Sequence, residues 1–241
     1  MKKRKIFKFG KSIEVDEYID GRFGARGEKR KEKKKVTPEQ VKKQNQFNRT
    51  RKCRRLMKQN FKEGDLYWTF TFQVAKRPRC MLEAKIIWSR IQRKIRDICK
   101  REGKGFKWII RIEKGSRGAF HMHLVMNAIE KPRAIAKLWK EYGHARLEYM
   151  YEEGGFAELA AYLTKPEEEG EETYYSRSRN LTEPEPEIEI VKEEFDTSGD
   201  IEIPQGYYLD KSSLINGHNP VTGYPFRHYT LVRIRGEDKA A

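Results

Sequence analysis

Apolar and polar residues alternate strictly along "LYWTFTFQ", residues 66–73: Leu66, Trp68, Phe70 and Phe72 fall on one face, and Tyr67, Thr69, Thr71 and Gln73 on the other. That period of two predicts a half-buried strand. The period changes over residues 81–102, where Ile87, Ile91, Ile95 and Ile98 recur at helical spacing ahead of Gly103, so an amphipathic helix of about five turns is expected. "FKWIIRIE", 106–113, returns to alternation with Phe106, Trp108, Ile110 and Ile112 apolar. After the turn "KGSRG", residues 120–126 send Phe120, Met122, Leu124 and Met126 to a core face and His121 and His123 to the opposite one. "KPRAIAKLWKEYG" reads as a helix stopped by Gly143, "HARLEYM" as a short strand, and "FAELAAYLTKP" as a helix ended by Pro166. The order βαββαβα predicts an α+β domain, a ferredoxin-like antiparallel sheet with helices on one face. No internal repeat interrupts it. Beyond Pro166, "EEEGEE" and "EPEPEIEIVKEEFD" read as exposed linker with one short strand, and "GYPFRHYTLVRIR" as a final strand returning to the sheet.

Charge divides the 241 residues further. Lys and Arg outnumber Asp and Glu by 23 to 7 over residues 1–62 and by 21 to 12 over 63–166, whereas 167–241 hold 8 against 17. Four segments follow: a flexible basic arm over 1–36, a basic helix over 37–62, the mixed domain over 63–181, and an acidic linker and extension over 182–241. "RFGARGEKRKEKKK", 22–35, is too charged and too poor in apolar residues to pack alone. Thr37 is placed to cap a helix with Pro38 at its first position, running to about Asn60. Its Lys42, Lys43, Arg49, Arg51, Lys52, Arg54 and Arg55 suit contacts along phosphates, or else form a solvated face. The net charge of +16 points to a polyanionic partner, for which nucleic acid is the usual candidate. No apolar run reaches the roughly 18 residues of a membrane span, and "MKKRKIFKFGKS" lacks the apolar core of a signal peptide, so a cytoplasmic protein is expected. Cys53, Cys80 and Cys99 form no CxxC pair and read as reduced thiols.

Candidate chemistry sits on the polar strand face. A five-residue turn would pair Glu113 with Ala119, setting 111 opposite 121 and 109 opposite 123, so that odd positions of both strands share a face. Glu113, His121 and His123 then stand together as a mixed oxygen and nitrogen donor set suited to Mn²⁺ or Mg²⁺, with Zn²⁺ or Co²⁺ as alternatives. Three protein ligands leave positions open for a substrate oxygen. On the last predicted helix, Tyr162 and Lys165 are three residues apart and share a face. A neighbouring ammonium would favour the phenolate, making Tyr162 a candidate nucleophile and Lys165 its assistant. The bland alternatives are a histidine pair on a wet strand and a tyrosine that packs its ring.

Taken together, the "YWTFTF" strand, a Glu ahead of His-Met-His and a helix bearing Tyr-Leu-Thr-Lys resemble the HUH endonucleases, and among them the rolling-circle replication initiators of phages, plasmids and related elements. The resemblance covers residues 64–181 and extends to "YYSRSRNLTEP", which looks like a Ser-Arg-Asn-Leu segment of replication proteins of filamentous-phage type. It implies a nickase that cuts single-stranded or hairpin origin DNA, joins its tyrosine to the 5′ phosphate and frees a 3′ hydroxyl for a polymerase. Carried over, His121, His123 and Glu113 are the metal ligands and Tyr162 the nucleophile with Lys165 beside it. Thr69, Thr71, Arg111, Arg177 and Arg179 then join the basic helix as DNA contacts. No second tyrosine lies on the helix, so a second cleavage would need another subunit in a homodimer, Tyr174 or Tyr175, or Tyr162 again. "FGKS" at 9–12 lacks the earlier glycine of a P-loop, which leaves unwinding to a host helicase. A single-tyrosine transposase or a relaxase shares the chemistry, and a non-catalytic RNA-recognition module shares the fold. The latter sets aromatics on its open face, whereas here they alternate onto the helix-covered one. His144, His218 and His228 read as structural, and Met122 and Met126 as core.

Overall fold

The computed structural model describes residues 2–21, 31–32, 35–115, 118–151, 153–166, 175–191 and 199–234. In chain order its elements are β1 (Lys2–Lys8), β2 (Ser12–Ile19), α1 (Pro38–Asn60), β3 (Leu66–Phe72), α2 (Met81–Arg101), β4 (Trp108–Lys114), β5 (Phe120–Met126), α3 (Arg133–Trp139), β6 (Gly143–Tyr149), α4 (Ala157–Thr164), β7 (Ser176–Arg177), β8 (Glu187–Val191), β9 (Tyr207–His218) and β10 (Pro225–Arg233). The fold is α+β, and the chain divides into two compact units, residues 45–183 and residues 1–44 with 184–241.

The unit of residues 45–183 holds an antiparallel sheet in the order β6-β3-β5-β4-β7. Its first four strands follow the split β-α-β order that the sequence pattern predicts. On one face Trp68, Phe70, Ile110, Met122 and Leu124 pack against Trp88, Ile91 and Ile95 of α2 and Ile135 and Trp139 of α3. Helices also reach the other face, which the expectation of a one-sided cover did not include. There Cys53, Leu56 and Met57 of α1 and Ala160 and Leu163 of α4 bury Ile109 and Val125. Sheet and cover agree on why: Ile109 and Val125 are apolar at odd positions, where the rest of that face is polar. Gly143 begins β6 rather than ending a helix. A Cβ there would meet the Thr71 carbonyl oxygen at 2.1 Å, so only glycine admits this close approach of β6 to β3.

The β4–β5 register lies two residues from the expected one: Glu113 faces His121 and Arg111 faces His123. The strands run past Glu113, with Lys114 paired to Phe120 and the Gly115 N–H donating to the Ala119 carbonyl at 2.8 Å, so the turn is tighter. Because the displacement is even, every side chain keeps its face.

The other unit carries a second antiparallel sheet, ordered β8-β1-β2-β10-β9. Residues 2–8 and 12–19 are therefore strands, not part of a flexible arm; residues 22–30 and 33–34 of that arm lie outside the described residues. Their basic side chains are neutralised across the sheet: Lys3 meets Asp20 at 2.7 Å, Arg4 meets Glu17 at 2.8 Å, and Lys8 meets Glu187 at 2.7 Å. Glu187 and Glu189 belong to the acidic extension, which thus supplies an edge strand to the basic N-terminus. Buried Glu17 also accepts from Arg227 at 2.7 Å, beside a small core of Val15, Tyr229 and Leu231. The final strand "PFRHYTLVR" joins this sheet rather than the one that bears the histidine pair. At the start of α1, Thr37 and Gln40 cap each other reciprocally, at 3.0 and 3.3 Å.

Candidate active site

Strand pairing sets out the polar end of the open face row by row. His144, Thr71, His121 and Glu113 lie side by side on β6, β3, β5 and β4; the next row is Arg146, Thr69, His123 and Arg111. Within it, the Glu113 Oε1 and His123 Nε2 atoms are 3.2 Å apart. The Tyr162 hydroxyl donates to Glu113 Oε1 at 2.8 Å and lies 2.8 Å from His123 Nε2, with its ring edge-on to the imidazole. Tyr67 meets the other nitrogen of that imidazole, Nδ1, at 3.0 Å and stacks on the ring, which turns Nε2 toward the site. His121 instead turns Nδ1 to the Thr71 hydroxyl at 3.4 Å.

Tyr162 is delivered by α4, which buries Ala160 and Leu163 and leaves the tyrosine 36 % exposed. The short helix is anchored from α1: Gln46 donates to the Thr164 carbonyl at 2.6 Å, the Thr50 and Thr164 hydroxyls are 2.7 Å apart, and Arg54 donates to the Gly155 carbonyl at 3.0 Å. Ahead of α4, Phe156 holds the left-handed conformation at φ 60° while buried against α1.

Hydrogen bonding to His123 holds the Glu113 carboxyl down at about 2, against the opposing effect of burial and with help from Tyr162 and Arg111. Burial pushes the Tyr162 phenol well above its ordinary value, and the bond to Glu113 and that carboxylate's charge add to the rise. Burial likewise lifts Tyr67 to about 12. His121 is lowered by burial and then by the neighbouring His123. An ionised carboxylate and a neutral imidazole are the forms that bind metal. The 3.2 Å between Glu113 Oε1 and His123 Nε2 matches one edge of a coordination shell with bonds of about 2.1 Å. Among the described residues no three His, Cys, Asp or Glu side chains already converge on one point, and His121 is the donor turned aside.

Other expected site residues are distributed unevenly. Thr69 and Thr71 are on the catalytic face, as strand parity required. Arg111 is on it too but buried, with its guanidinium taken up by Glu113 and by carbonyls of Leu163 and Lys165, so as a DNA contact it is withdrawn. Lys165 caps α4, its N–H bonded to the Tyr162 carbonyl and its side chain exposed. On α1, Lys42, Lys43 and Lys52 are exposed, Arg49, Arg51 and Arg55 are half-buried, and Arg54 is engaged with Gly155. Arg177 pairs with Glu183 where β7 edges β4, and Arg179 is exposed. Tyr175 packs into the α1 core near Cys53, while Tyr174 lies outside the described residues. The sequence reading missed His144 and Arg146, exposed on the catalytic face, and the role of Tyr67; the alternation of β3 and β6 held the signal for all three. His228 is structural as expected, 2.7 Å from Asp16.

Residues 65–167 match the family model of the replication-associated protein ORF2. The matched stretch runs from just before β3 to just past α4 and so takes in Glu113, His121, His123 and Tyr162. No curated protein and no solved structure matches the chain.

Proposed function

We propose that this chain is a replication initiator that nicks single-stranded origin DNA by transesterification, with Tyr162 as nucleophile. The observation that carries the reading is the Tyr162 hydroxyl at 2.8 Å from both Glu113 Oε1 and His123 Nε2. Likeness to replication-associated proteins over the same residues supports it. The phenol oxygen attacks the scissile phosphorus, forming the tyrosyl O–P bond as the P–O3′ bond breaks; the phenol loses its proton and the departing 3′ oxygen gains one. The product is a 5′-phosphotyrosyl strand and a free 3′ hydroxyl, suited to extension by a polymerase behind a host helicase.

Glu113, His121 and His123 would hold a divalent cation, Mn²⁺ or Mg²⁺. Such an ion polarises a phosphate oxygen and offsets the carboxylate charge that otherwise keeps the phenol protonated. Tyr67 orients His123, Lys165 sits one turn beyond Tyr162 with its ammonium in solvent, and Thr69, Thr71 and the exposed lysines of α1 face the nucleic acid. Because Tyr175 is packed in the core, a second cleavage falls to Tyr162 again or to a second copy of the chain.

Incubation with labelled single-stranded DNA and Mn²⁺ should give a covalent band on a denaturing gel that chelator prevents and Tyr162→Phe abolishes. A band that survives Tyr162→Phe, or none from the wild type, refutes the reading.

A further inference from the structure

Arg111 is 2 % exposed yet lies on the catalytic face, where a buried cation needs partners for its charge and its five N–H donors. Its Nε donates to Glu113 Oε2 at 2.8 Å, and one terminal nitrogen donates to the Leu163 carbonyl at 3.2 Å and to that of Lys165. Those carbonyls belong to the C-terminal end of α4, where helix carbonyls lack partners within the helix and the dipole is negative. The guanidinium therefore joins two elements that no strand ladder connects: the β4 carboxylate and the helix that bears the nucleophile.

Two consequences follow from this geometry. The carboxylate of Glu113 is divided, with Oε2 fixed by Arg111 and Oε1 left for Tyr162 and His123. Leu163, whose carbonyl is held, follows Tyr162 in the chain, so the height of the phenol over the sheet is set from the same guanidinium. We infer that Arg111 is a positioning residue that registers the Tyr162 nucleophile against Glu113 and does not itself touch DNA. The inference rests on the proposed function for the step it serves, but not for the brace itself.

A lysine keeps the charge but offers a single point of donation in place of a planar fork, so it can hold one arm of the brace and not both. In single-turnover reactions with Mn²⁺ and single-stranded DNA, Arg111→Lys should slow the rate constant of covalent attachment about a hundredfold, the scale of an ångström's misplacement. Affinity for the oligonucleotide should stay within about twofold, since phosphate contacts lie elsewhere. The amplitude should also hold: a merely structural defect would lower the fraction of active protein and leave the rate constant of the remainder alone. A wild-type rate in Arg111→Lys, or a loss of DNA affinity that matches the loss of rate, overturns the inference.

Should the variant fail to fold, the wild type still decides. In ¹⁵N spectra the Arg111 Nε–H should exchange slowly at neutral pH and shift in Glu113→Gln; rapid exchange, or no response to Glu113→Gln, overturns the brace. That reading is independent of catalysis, so a wild type that never forms an adduct would remove the proposed function while the spectrum judged Arg111 separately.

Discussion

One face of the β6-β3-β5-β4-β7 sheet has two ends that behave differently. At one end Ile109 and Val125 are sealed beneath Cys53, Leu56 and Met57 of α1 and Leu163 of α4. At the other, Glu113, Thr69, Thr71 and His121 remain partly open to solvent, and only His123 and Arg111 are buried, at the seam between the two. The contrast teaches that strand parity assigns a side chain to a face but not to a place along it. What turns a polar face into a reaction site here is where the covering helix stops, because the same α4 that seals one end extends Tyr162 over the other.

If the open end is chemical and the sealed end structural, substitutions at the two should fail in different assays. The largest effect is expected at His121→Ala, which should lower Mn²⁺-dependent cleavage by about a hundred- to a thousandfold, the scale of losing one charge-stabilising group at a reaction centre. Its non-specific DNA binding and melting midpoint should change little; joint loss of both would mark a structural histidine. Leu163→Ala, at the sealed end, should instead destabilise by about 2–5 kcal/mol in denaturant titrations. A cost near zero would mean that α4 is not packed there. Tyr67→Phe tests the seam. By releasing His123 Nδ1 it should weaken Mn²⁺ binding by about tenfold in calorimetry with little effect on stability, whereas unchanged affinity would deny Tyr67 its orienting role. The smallest effect is expected from replacing exposed Lys42, Lys43 and Lys52 with Ala, which should flatten the salt dependence of DNA binding by a slope of about 2 to 3. An unchanged slope would remove α1 from the nucleic-acid surface.

Much of the catalytic sheet was legible beforehand because its strands alternate cleanly. Parity alone put Glu113, His121 and His123 on one face with Thr69 and Thr71, and it survived an error of two residues in the β4–β5 register because the error was even. Helical spacing likewise placed Tyr162 opposite the residues that pack. Parity could not tell that Arg111 would be buried, since its burial depends on how far α1 and α4 extend over the sheet. The second sheet was hidden for another reason. In "KKRKIFK" and "EPEPEIEIV" the charges that read as solvated neutralise one another across strands far apart in sequence, as Lys8 does with Glu187, and a local pattern contains no trace of such pairing. Even so, Ile13, Val15 and Ile19 at alternate positions of β2 offered a signal against an unstructured arm.

The central claim is that Tyr162 makes the covalent bond. The direct measurement is to incubate the wild-type protein with Mn²⁺ and a pool of single-stranded oligonucleotides, digest both components, and locate the nucleotide-bearing peptide by mass spectrometry. A 5′-phosphonucleotide on Tyr162 is the expected result; the same mass on Tyr67, Tyr174 or Tyr175, or no adduct at all, would contradict the account.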